Sequence, residues 1–144
     1  MRTAPMQFQK QRSLNGSTDF LKLRGFDSDM LPVVRAVNRC KELATHQCCS
    51  GHPERDPTYR TYHIQMMYTE KALKTLHLIF TALSGEYPHP NMVRLSFVRK
   101  RVSLQDRRET SVAVISVDRS LGVRPSALSI NQTIIHALTH GAEE

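Results

Sequence analysis

The side chains with the most chemical reach in this chain of 144 residues are Cys40, His46, Cys48, Cys49, His52 and His63, a run of thiols and imidazoles close together in sequence. Those are the ligand atoms zinc prefers. His136 and His140 add a second pair one helical turn apart. Four ligands could be drawn from this set. The spacing matches no zinc module, however, and the adjacent Cys48 and Cys49 cannot both turn toward one ion without a bend in the backbone. No metal site is expected, and Cys40 reads as an ordinary buried thiol.

Acid–base and nucleophilic chemistry have less to work with. The carboxylates are dispersed, and Asp27, Asp29, Asp56 and Asp118 fall at element ends where capping accounts for them. The chain has no Gly-rich phosphate loop, no Gly-x-Ser-x-Gly elbow and no His-Glu-x-x-His motif. It reads as a non-enzyme without catalytic residues or a cofactor.

Charge is the stronger signal. The formal net charge is +7, and it is unevenly placed. Residues 25–93 balance to zero, whereas residues 1–24 carry +4 and residues 94–124 carry +5. The second basic stretch holds Arg94, Arg99, Lys100, Arg101, Arg107, Arg108, Arg119 and Arg124. Seven of these eight are arginine, whose planar, permanently charged fork suits phosphate. On a hairpin, Arg99–Arg101 and Arg107–Arg108 would crowd five cations at one tip, with Asp106 and Glu109 giving partial relief. The bland explanation is a solvated ribbon that guards a sheet edge. The sharper one is contact with a polyanion.

These eight residues are therefore the candidate nucleic-acid contacts, with RNA favoured over DNA. Binding would be mostly to phosphates, with roughly −0.7 to −0.9 on a log–log salt plot for each contact. Base stacking has few candidates, because the chain has no Trp and Phe97, the one aromatic of this stretch, is expected to face the core. The alternative is a self-assembling, matrix-like structural or adapter protein, as in some viral components. Its basic face would meet an anionic membrane or an acidic protein partner.

The elements that must position this charge follow from periodicity. Residues 1–17 lack a period and read as a flexible basic tail, with 18–144 forming one domain. Asp19–Phe26 reads as a short strand. Ser28, Asp29 and Pro32 open a first helix whose apolar face is Met30, Val33, Val34, Val37, Cys40 and Ala44, ending by Gly51–Pro53. A second helix runs from the Asp56–Pro57 cap to Ser84–Gly85, roughly 40 Å of rod. Its seam, Tyr59, Tyr62, Met66, Leu73, Leu76, Phe80 and Leu83, breaks coiled-coil spacing only at Thr69 and is a candidate oligomer interface. The period then becomes two over Met92–Val102 and Thr110–Val117, joined through Ser103–Glu109 as a β-hairpin. A last helix from Arg124–Ser126 to Gly141 has a stripe of Ala127, Ile130, Ile134, Ala137 and Leu138 and no Lys, Arg, Asp or Glu after Arg124.

The expected order is (β)ααββα, an α+β domain with helices packed on a small antiparallel sheet. No stretch is apolar enough to span a bilayer, and the N-terminus has no secretory h-region. Three cysteines, an odd number with two adjacent, suit a reducing compartment, so a cytoplasmic or nuclear location is expected.

Overall fold

The structure is a computed structural model and describes residues 28–51, 53, 56–101 and 108–141. The expected N-terminal tail, the strand at Asp19–Phe26, the hairpin link and Arg107 lie outside the described residues. Seven elements follow in order: α1 (Leu31–Asn38), β1 (Leu43–Cys49), β2 (Thr61–Tyr68), α2 (Leu73–Glu86), β3 (Val93–Arg101), β4 (Glu109–Asp118) and α3 (Ala127–Gly141). The class is α+β, with a four-stranded antiparallel sheet in the order β1-β2-β4-β3. Two hairpins, β1–β2 and β3–β4, lie side by side and are joined through β2 and β4.

The period-two segments and the last helix form where their patterns place them. The first two expected helices do not. The first stops at Asn38, whose side-chain oxygen accepts from the Thr45 N–H at 2.8 Å and so fastens the turn into β1. Cys40 and Ala44 therefore leave the helix, and Leu43–Cys49 runs as a strand.

The expected 56–84 rod is two elements. Asp56 does act as a cap, accepting from the Thr58 N–H at 3.0 Å, but it caps only the 3-10 turn Pro57–Tyr59. Thr61–Tyr68 is then extended, and its alternating Tyr62, Ile64 and Met66 face the core. Aromatic and β-branched side chains make up half of that stretch and favour the pleated conformation. The strand ends at Thr69. Its N–H donates to the Glu42 carbonyl at 3.1 Å and its hydroxyl to the Glu42 carboxylate, pinning it to the α1–β1 turn before α2 begins.

All three helices cover one face of the sheet. Val33, Val34 and Val37 of α1, Leu76, Ile79 and Leu83 of α2, and Ile130, Ile134 and Leu138 of α3 form one apolar cluster with Tyr62, Ile64, Met66, Ala113, Ile115 and Val117. Burial of these side chains, at about 25 cal/mol per Å² of apolar surface, is the main stabilising term. Asn131 stitches the layers: it accepts from the Tyr62 hydroxyl at 2.6 Å and donates to the Asp29 carbonyl at 2.8 Å. The opposite sheet face holds a smaller buried set, Ala44, Met67 and Val112, with Val114 beside it. The charge-poor α3 packs against α1 and α2, while Leu128 stays exposed.

Candidate nucleic-acid interface

Strand β3 is an edge strand, so its side chains divide between two faces with nothing beyond them in the sheet. Antiparallel register fixes that division. Val93, Leu95, Phe97, Arg99 and Arg101 lie opposite Val117, Ile115, Ala113, Ser111 and Glu109, on the side of the helices. Arg94, Ser96, Val98 and Lys100 take the other side.

The eight candidate cations do not form one patch. Arg99, Lys100, Arg101 and Arg108 lie at the Arg101–Glu109 end of the β3–β4 ribbon, its tip, three of them exposed and Lys100 half-buried. Arg99 meets Glu109 at 3.5 Å, an ion pair open to solvent at both ends and therefore weak. Arg94 is exposed near the other end of β3, seven residues away or about 23 Å along the strand. Arg124 lies beyond that same far end, before α3, with a left-handed backbone (φ 51°).

Arg119 is a different kind of residue. Only 9% exposed, it donates from Nη1 to the Ser50 and Gly51 carbonyls at 3.0 and 2.7 Å, and from Nε to the Pro125 carbonyl at 3.1 Å. It closes the end of β1 onto the entry to α3 and so belongs to the fold. Gly51 is held at φ 71°, where an added Cβ would sit 3.0 Å from the Thr61 carbonyl. At the same end Arg60 pairs with Asp118 at 3.2 Å. Burial acts to raise the Asp118 carboxyl, but hydrogen bonds from Ser120 and the Arg60 charge outweigh it and hold it below the usual range.

Phe97, expected to face the core, is the exception on this face. It is 48% exposed. Val93 and Leu95, earlier on the same face, pack against the core, but the helices do not reach Phe97. Its ring instead meets Tyr68 across β4, with centroids 5.4 Å apart and planes at 59°. The small Ser111 and Ala113 between them leave room for that contact, and the Tyr68 hydroxyl lies 2.9 Å from the Ser111 hydroxyl. Phe97 and Arg99 thus share one face of the tip.

The seam residues separate in the same way. Tyr62, Met66, Leu76 and Leu83 are buried in the chain's own core, and Phe80 is half-buried. Tyr59, in the 3-10 turn, and Leu73, in the first turn of α2, are exposed but on different elements. A continuous helical seam does not exist, because Thr69 divides strand from helix.

Among the described residues no three His, Cys, Asp or Glu side chains converge on a metal-sized site. Cys48 and Cys49 show why: they pair with Ile64 and His63, so one enters the core under the helices and the other takes the opposite face. His136 and His140 stack on the exposed side of α3 with ring centroids 4.2 Å apart.

Comparison with family models, curated proteins and solved structures finds no match for this chain. Among the described residues no helix is long and apolar enough to cross a membrane.

Proposed function

We propose that this protein is a non-enzymatic nucleic-acid-binding protein whose contacts are made to phosphates by the tip of the β3–β4 ribbon. The observation that carries the reading is the run of Arg99, Lys100 and Arg101 at consecutive positions of an edge strand, with Arg108 exposed at the same end of the ribbon and Glu109 meeting Arg99. Like charges held on a rigid ribbon repel each other, and an anion that bridges them removes that repulsion. The guanidinium forks of Arg99 and Arg101, two residues apart on one face of β3, suit the oxygens of a phosphate backbone.

RNA is the favoured polymer. Many readers of duplex DNA lay a helix in the major groove, and among the described residues no helix has a basic face. α1 carries only Arg35, α2 only Lys74, and α3 neither lysine nor arginine. Among the described residues the ribbon is the most basic element.

The test is a binding titration with RNA at low salt, comparing the native protein with a variant carrying Arg99→Ser, Lys100→Ser, Arg101→Ser and Arg108→Ser. All four changes lie at the surface end of a ribbon, so the fold should survive them. Loss of binding supports the reading, with Arg94→Ser at the far end as a control that changes little. Undiminished binding by the fourfold variant overturns it.

A further inference from the structure

We infer that the Phe97–Tyr68 ring pair is a base-stacking platform, and that it makes the ribbon tip select single-stranded over double-stranded RNA. The inference rests on the phosphate-binding reading above and deepens it by naming the form of the ligand.

Charge alone explains less of this surface than it first promises. A sheet edge is protected by lysines and arginines, so Arg99, Lys100 and Arg101 could serve as gatekeepers against strand pairing. An exposed phenylalanine on the same edge works against that purpose, because it adds apolar area where another strand could settle. Phe97 is exposed because the helices stop short of it, while Leu95, two residues before, is tucked against the core. A ring left open among cations fits a partner that is itself aromatic and anionic.

The geometry fits that partner. Tyr68 braces the Phe97 ring from one side at 5.4 Å and is itself tied to Ser111, so the platform is held from two strands. Arg99 and Arg101 follow Phe97 on the same face at two-residue steps, about 6.8 Å each, a spacing comparable to one extended nucleotide. A base laid on Phe97 would leave its neighbouring phosphates within reach of these two side chains. Bases in a duplex have both faces covered by their neighbours, so only an unpaired strand can use the ring.

The chain has no tryptophan, which makes the test direct. Phe97→Trp places the sole indole on the platform, and its fluorescence should be quenched on adding an unstructured single-stranded oligoribonucleotide but not a duplex of equal length. In parallel, anisotropy with the same two labelled RNAs should show Phe97→Leu weakening single-strand binding about tenfold, with duplex binding within about twofold of native. If Phe97→Leu leaves single-strand affinity unchanged while the fourfold cation variant loses it, the platform is refuted and the phosphate reading stands. If the cation variant binds like the native protein, or if neither RNA binds, the phosphate reading fails and the platform falls with it. Circular dichroism of each variant confirms that the fold is retained.

Discussion

The hydroxyl of Tyr62 donates to the side-chain oxygen of Asn131 across 2.6 Å, joining the start of β2 to α3 over 69 positions of sequence. Both residues are buried, and the Asn131 amide donates onward to the Asp29 carbonyl just before α1. One carboxamide therefore ties the sheet to two helices. It holds the scaffold from which the β3–β4 ribbon projects.

Removing either partner should be costly, because the other is left buried without its bond. Tyr62→Phe is expected to lose about 1–3 kcal/mol, and Asn131→Ala about 2–4 kcal/mol since it orphans two groups. Urea unfolding monitored by circular dichroism measures both. Unchanged midpoints would show that the bond contributes nothing net.

The same phenol predicts a response to alkali. Burial foremost, with Cys48, Asp29 and Tyr87 adding to it, raises the Tyr62 hydroxyl well above its ordinary range. Above about pH 10 the unfolded chain releases this proton while the folded chain retains it, so stability falls as pH rises. Below that pH both states are protonated and the contribution is fully present. Tyr62→Phe should start less stable and decline less steeply between about pH 9 and pH 11. Parallel curves for the two proteins would contradict this.

Arg119 separates a cation that builds the fold from those that could meet a ligand. Its three carbonyl acceptors need a planar fork, so Arg119→Lys should destabilise by about 2–3 kcal/mol despite keeping the charge. Thermal unfolding checks the loss. The salt dependence of RNA binding by the folded variant should match that of the native protein.

How much of this was readable in the sequence depends on the range of the interactions involved. β3, β4 and α3 follow from local alternation and local breakers, and they form as expected. The 56–84 stretch misleads because Tyr62 and Met66 satisfy both a four-residue helical step and the two-residue series Tyr62, Ile64, Met66. Pairing with β1 and β4 decides between them, and that is a tertiary event. The basic tip was legible because a hairpin keeps sequence neighbours together. Arg119 was not, since its acceptors at Ser50 and Gly51 lie 69 and 68 residues away. Phe97 was not either: its alternation says which face it takes, but where the helices stop covering that face is set by packing.

The most direct measurement of the account is the affinity for a single-stranded RNA as a function of salt. Four phosphate contacts predict a log–log slope of about −2.8 for the native protein, becoming shallower by about 0.7 with each of Arg99, Lys100, Arg101 and Arg108 removed. A slope that stays the same across the single variants and the fourfold variant would place the binding elsewhere on the molecule and contradict the account.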